Sequence, residues 1–449
     1  MSTHTPVPTT SSSSAVPVPT SATGPTDRSD VLIVGAGVAG LAAALTASAA
    51  GCRVLVLDAH PVGGRARTTD HGGFLHNVGP HALYRGGALS HLLAQHGITV
   101  TGGPPPEVPA HVVRDGAAHR LALSPVSMMR TDLLSRRDRV RLLALFARVQ
   151  RGRPAALVGR TVDEWLGSSP TQVRQFVDML IRLSTYTDAP DLFDAGAALA
   201  QLQLAIGSGV QYVDDGWGSI IDAMVGIIAT RGGEVRTGVE VTAIEVGTST
   251  SRDVTVTTTS GVVRAAAVVI AAGGPDVAAR LTATPVAGAD RITSPVTASV
   301  LDLSIARATP VVAFALDAPL YLSAHAPAAR LAPAGRGLIS VMRYHRPGAD
   351  LPAPSSARDE LRSFAALAGI DPGDVVHERW SHRLVVAHGA PTADGGGLAG
   401  RPATTALGRP GVYLAGDWVG AEGLLADAAA SSGVQAATDA LAHRASISV

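Results

Sequence analysis

Hydrophobic residues first gather in an unbroken apolar run at residues 31–34, which stops at Gly35, resumes as an alanine- and leucine-rich stretch over 38–50, and returns at 54–57. Runs this short and without polar alternation predict strands buried on both faces, and the stretch between them has the length of a helix. Gly35, Gly37 and Gly40 stand where the first strand turns into that helix. In such a turn one glycine permits the tight bend, one lets backbone approach a pyrophosphate, and one packs the helix against the sheet. The helix then points its amide-rich N-terminus at phosphate. Asp58 closes the second strand roughly 20 residues beyond the glycines, where a carboxylate can accept ribose hydroxyls.

The middle of the chain carries other periods. Residues 133–149 interleave Leu, Val and Phe with Arg136, Arg137, Arg139, Arg141 and Arg148, which predicts an amphipathic helix. Its arginine face is compatible with peripheral contact at a membrane surface. Thr161 and Glu164 form the sequence of a capping box, and residues 172–183 carry apolar side chains at helical intervals. Residues 268–270 predict a further sheet strand. The stretch 285–400, with runs such as 310–316 broken by Pro and Gly, predicts short strands. The fold class is α/β, and no internal repeat is present.

Further segments narrow the ligand. Gly63-Gly64-Arg65-Ala66-Arg67-Thr68 follows Asp58, and Gly416-Asp417-Trp418 lies near the far end, followed by Leu425-Ala426-Asp427. Between them come Gly216-Trp217-Gly218-Ser219 and Val239-Glu240-Val241. In order and spacing these segments resemble the flavoprotein superfamily of amine oxidases, phytoene desaturases and protoporphyrinogen oxidases. The resemblance implies a Rossmann-like FAD-binding domain of the glutathione-reductase type, built from 27–84, 208–280 and 405–445. An α+β substrate domain, 85–207 and 281–404, is inserted into it. It further implies that Gly35, Gly37, Gly40, Asp58, Gly64 and Arg65 hold the dinucleotide and that Val241 meets adenine through its backbone. Gly416 and Asp417 would meet the ribityl or pyrophosphate portion, and the Ala426 backbone the pyrimidine edge of the flavin.

Composition bears on partners. Acidic and basic residues balance at 36 each, so no long-range field gathers nucleic acid, and none is expected as a partner. The single cysteine, Cys52, excludes an intramolecular disulfide and a thiolate metal cage. Cys52 also precedes the second strand, away from the closing segment where some relatives bond flavin, so FAD is expected to be noncovalent. His91 and His96 are off helical ligand spacing, and no metal is expected. Residues 1–26, rich in Ser, Thr and Pro, read as a disordered tail without signal-peptide character, and the protein as cytoplasmic.

Absences shape the expected reaction. No lysine occurs, so all 36 basic residues are arginine, and a lysine-held water beside the flavin, common among amine oxidases, has no residue to hold it. Where that branch places an aromatic residue before the closing helix, this chain has Leu425, and aromatic residues make up only 4% of the sequence. Both features favour an apolar small molecule, oxidised by hydride loss from carbon in the manner of a desaturase, with oxygen or a quinone as acceptor. The candidate catalytic residues are His81 and Tyr84, in a segment resembling the family's run along the flavin, together with Trp217 and Glu422. Other readings are an amine or amino-acid oxidase without the lysine-bound water, a flavin-dependent double-bond isomerase, and a non-catalytic carrier like the escort proteins of prenylated GTPases.

Overall fold

A computed structural model describes residues 28–121, 133–247 and 253–447. The expected tail at 1–26 lies outside the described residues.

Arg28–Val34, apolar from Val31 onward, forms the centre of a seven-stranded sheet. It pairs in parallel with Val54–Asp58 on one side and Gly261–Ile270 on the other. Glu234–Thr237 extends the sheet beyond Val54–Asp58, while Val412–Leu414 adds a parallel strand to Gly261–Ile270. Val254–Thr258 and Val241–Glu245 continue from Gly261–Ile270 as antiparallel strands. The helix Val38–Ala49 starts at Gly37, as the glycine pattern predicts, and buries alanines and leucines against the sheet. The closing helix, Leu425–Ile447, crosses it so tightly that a β-carbon on Gly433 would sit 2.3 Å from the Ala39 carbonyl oxygen. Small residues on both helices permit that approach, and the shared core is completed by Trp217–Thr230.

A second seven-stranded sheet runs Val375–Ala387, Val296–Ile305, Gly337–Tyr344, Leu320–Ala326, Val312–Ala315, Ala110–Arg114, Ala117–Leu121. It is antiparallel except where Val312–Ala315 meets Ala110–Arg114. Helix Pro354–Leu367 packs on it through Leu361 and Phe364. A helical group, Arg136–Arg151, Val162–Leu166, Thr171–Thr185 and Ala195–Ser208, shares a core with its other strands. The capping box at Thr161 and Glu164 is formed in full.

The expectation of short strands over 285–400 needs correction, since Val296–Ile305 has 10 residues and Val375–Ala387 has 13. Pro and Gly fall in the connections here, apart from Gly337 at the start of its strand. Val375–Ala387 contains Glu378, Arg379 and two histidines because it is an edge strand, half-buried along most of its length, and polar residues are tolerated there. Among the described residues no helix is long and apolar enough to cross a membrane.

Candidate functional site

The three glycines of the first turn have distinct physical roles. Gly35 has φ +106°, in the left-handed half of conformational space, and a β-carbon there would lie 2.7 Å from the Ala271 oxygen. A β-carbon on Gly40 would lie 1.8 Å from the Gly35 oxygen, so the helix can seat on the turn only if this residue is glycine. Gly37 meets nothing within 4 Å. The turn is therefore closed behind and open in front, the shape of a cradle for a ligand that touches backbone.

Asp58 holds the turn from the side. Its carboxylate accepts from the Ala36 amide at 2.7 Å and the His60 amide at 2.8 Å. The Val239 amide donates to the Asp58 carbonyl, and Val241, buried, begins the sheet's outer strand two residues on. That hydrogen bond brings the chain leading to the residue expected at adenine against the strand end expected at the ribose.

Gly63-Gly64-Arg65 folds back across the glycine turn, with Gly63 donating to the Ala36 carbonyl. Arg65 then reaches Asp417 at 2.7 Å and the Val386 carbonyl at 2.6 Å. Asp417 is buried and accepts from both the backbone and the ring of His388, each at 3.1 Å. Burial alone would raise this carboxyl's pKa, but the Arg65 charge and the His388 hydrogen bonds outweigh it and hold the pKa well below the ordinary value. A buried anion fixed this way projects field and no proton. Gly416 is tied to the closing helix by Ser432, whose hydroxyl meets both its amide and its carbonyl at 2.9 Å.

Two residues that motif reading overlooked complete this wall. His388 is one. The other is Arg401, 5% exposed, which donates to the carbonyls of Asp417, Gly420, Glu422 and Gly423 and so shapes the loop leading into the closing helix. Burial lowers its pKa to about 10, leaving it charged at neutral pH. Neither belongs to a repeating or spaced pattern, so only their placement in space distinguishes them.

The candidates around the expected flavin face separate into different environments. Trp217 opens its helix, with its amide on Asn77 Oδ1 at 2.9 Å and its ring centroid 4.9 Å from that of His81. Its indole N–H is buried with no hydrogen-bond partner. His81 Nδ1 lies 3.0 Å from the Gly79 carbonyl, so Nδ1 carries the proton and Nε2 is the free base. Burial, together with the nearby Arg65 charge, lowers the His81 pKa and keeps the ring neutral, although its hydrogen bond to Gly79 opposes this. Tyr84 donates its hydroxyl to the Ser184 carbonyl at 2.9 Å, and burial raises its pKa. Glu422 is exposed, at the rim of a cleft beside the closing helix.

Leu425, first residue of that helix, has φ +55°, a strained conformation for a leucine. It packs against the same apolar cluster as Tyr186, Tyr344 and Leu384. Tyr186 and Tyr344 meet edge to face at 6.0 Å, and the Tyr212 hydroxyl meets those of Ser323 and Tyr321 at 2.6 and 3.3 Å. Low aromatic content suggests that no cage of rings forms, yet the tyrosines concentrate in one place. Burial raises the pKa of Tyr84, Tyr186, Tyr212, Tyr321 and Tyr344, so all five are neutral.

The residues present fit a flavin dinucleotide. An open backbone cradle at Gly37, an acid at a strand end and the Arg65–Asp417 pair all follow the C-terminal ends of parallel strands, and Trp217 adds an unpartnered indole donor.

Comparison with protein families gives a match of residues 38–441 to the family described as flavin containing amine oxidoreductase. No curated protein gives a significant match. Among solved structures, an oxidoreductase from Methanosarcina mazei has TM-score 0.72 at 19% identity, covering 91% of this chain and 99% of its own. A wild-type putrescine oxidase bound to putrescine has TM-score 0.72 at 18% identity, covering 93% and 100%. A fatty acid isomerase from P. acnes, producing CLA, has TM-score 0.67 at 12% identity, covering 91% and 98%. At these identities the solved structures establish the shared fold.

Proposed function

The chain belongs to the flavin containing amine oxidoreductase family, and from that premise we propose that it oxidises a carbon centre of a neutral, largely apolar small molecule. It is an FAD-dependent oxidoreductase, and the cofactor is held noncovalently; the sole cysteine, Cys52, is buried beside Arg444. Bound FAD supplies the hydride acceptor, while the protein orients the substrate and excludes water.

In this reading Gly35, Gly37, Gly40 and Gly64 shape the backbone around the pyrophosphate, with Asp58 on ribose and Val241 at adenine. Arg65, Gly416, Asp417 and Ala426 serve the ribityl chain and ring. The FAD domain comprises 27–84, 208–280 and 405–445, and the substrate domain the two stretches between. As hydride leaves one carbon, a proton leaves its neighbour and the double bond forms between them. His81 Nε2, unprotonated and half-buried, is our candidate to receive that proton. Tyr84 and Trp217 hold the surrounding wall, since the Tyr84 hydroxyl proton is already engaged by Ser184. Glu422, exposed, belongs to the rim. With FAD bound, oxygen or a quinone would serve as the electron acceptor.

The observation that carries this proposal is a cluster of neutral side chains, Tyr186 and Tyr344 with Leu425, beside the His81 segment, where the Tyr186 hydroxyl donates to the Pro80 carbonyl. Neutral tyrosines, Leu425 and a neutral His81 offer no fixed anion to a substrate ammonium. The edge-to-face pair Tyr186–Tyr344 supports a second reading, amine oxidation, because aromatic faces attract cations. Anaerobic bleaching of the flavin, followed by visible absorbance against amines, amino acids, polyenes and reduced tetrapyrroles, tests both. Bleaching by a neutral apolar compound supports the first reading, and bleaching by amines alone replaces it with the second.

A further inference from the structure

A cleft of about 190 Å³ lies on the side of the closing helix marked by Asp427, between that helix and Ala195–Ser208. Its walls are apolar, formed by Leu204, Leu398 and Leu424. Its polar groups are Glu422 at the rim and two buried side chains, Gln201 and Asp427, 3% and 4% exposed.

Both buried groups carry an atom that the fold leaves unused. Asp427 begins the closing helix, where an acid suits the helix dipole, but its Oδ1 serves another helix, accepting from the Leu89 amide at 2.9 Å in the first turn of Ala88–Gln95. Its Oδ2 is buried without a hydrogen-bond partner, as is Gln201 Nε2. An orphaned carboxylate oxygen inside a protein is costly unless something fills the space beside it. Gln201 can adapt, because a half-turn of its amide presents an acceptor in place of a donor. Among the described residues lining the cleft none is basic. His91, exposed on Ala88–Gln95, is the basic residue whose field acts on Asp427.

We infer that this cleft, lined by none of the residues proposed to hold FAD, is a binding site for a small alkylammonium compound, with the ammonium on Asp427 and Glu422 and the alkyl chain along Leu204, Leu398 and Leu424. The volume corresponds to roughly six waters, enough for one small organic cation. Burial raises the Asp427 pKa to about 6, so a cation that settles there also draws the carboxyl into its charged form. Because Ala426 precedes Asp427 directly, occupancy would be felt at the start of the closing helix.

Calorimetric titration of the flavin-loaded protein with n-butylammonium chloride tests the site, with n-butanol as the uncharged control. The expected result is saturable binding of the ammonium only. Asp427→Asn, which retains an oxygen for the Leu89 amide, should weaken binding at least tenfold. Ala200→Phe, placing a ring in the cleft, should abolish it. No saturable heat from the ammonium, equal heats from butanol, or weakened binding in only one of the two variants overturns the inference. Where either variant loses its flavin, Glu422→Gln takes its place with an expected loss of about threefold, that of a rim charge, and unchanged affinity there overturns the inference equally.

Discussion

Arg65 and Asp417, 352 positions apart in sequence, meet through a 2.7 Å ion pair in which Asp417 is almost wholly buried. This contact joins the Gly63-Gly64-Arg65 segment to Gly416-Asp417, so two segments from opposite parts of the chain are fastened to each other. Removing Arg65 leaves the buried Asp417 carboxylate with only the His388 hydrogen bonds. Arg65→Ala strands a buried carboxylate, a change that costs about 3–5 kcal/mol when no relief is available. We expect a protein that unfolds at lower temperature and purifies with little flavin. Asp417→Asn, which keeps a hydrogen-bond acceptor for Arg65, should retain the fold better while still weakening FAD binding at least tenfold. Flavin-to-protein absorbance ratios and thermal melts of the two variants check this, and full flavin loading in both would break the assignment.

Gly37 and Gly40 stand three residues apart and should respond in opposite ways. Since a β-carbon on Gly37 meets nothing within 4 Å, Gly37→Val is expected to fold, remain soluble and be colourless, its side chain occupying the place of the pyrophosphate. Gly40→Val would force atoms into the Gly35 carbonyl and should fail to accumulate as folded protein. Circular dichroism and bound-flavin absorbance separate the two outcomes. A flavin-loaded Gly37→Val protein would remove this glycine from the site.

How much of this was legible in the sequence follows from what each residue's role depends on. The glycine turn, Asp58 and Arg65 could be read because close backbone approach and strand-end position require particular residue types at fixed spacing. His388 and Arg401 could not, because nothing about a lone histidine or arginine announces that it will face Asp417 or collect four carbonyls. The tyrosine cluster was hidden for a related reason. Its members come from residues 84, 186, 212, 321 and 344, and composition averages over a chain in which packing concentrates them. Asp427 reads as a cap for its own helix, yet its hydrogen bond goes to the first turn of Ala88–Gln95.

Arg401 is expected to matter more for holding the cofactor than for the framework far from it. Its guanidinium organises the carbonyls of 417–423, and hydrogen bonds to a charged group contribute roughly 1.5–3 kcal/mol each when buried. Arg401→Met keeps much of the volume and removes every donor. The loop ahead of Leu425 should then loosen, releasing flavin at a lower temperature than that of global unfolding. Comparing flavin fluorescence with circular dichroism during heating measures the gap, which should be wider in the variant than in the parent protein.

Acid should destabilise the protein through histidines that the fold keeps neutral. Burial lowers the pKa of His76 and of His345 to about 4, and burial with the nearby His81 lowers that of His325 to about 3. The unfolded chain binds these protons near pH 6.5, so each histidine contributes stability that is fully present above that value and is lost as pH falls through the folded value. Asp178 and Asp427 act in the opposite direction. Burial raises both to about 6, so their folded forms gain relative stability as pH falls through that value. The sign can therefore be tested by substitution. His325 stacks on Tyr212 at 4.0 Å, and its Nε2 has no partner, so His325→Phe keeps the stack and removes the titration. Urea midpoints measured from pH 7 to 4.5 should decline less steeply in His325→Phe than in the parent, and more steeply in Asp427→Asn. Parallel declines in all three proteins would mean that neither residue binds protons differently in the folded and unfolded chains across this range.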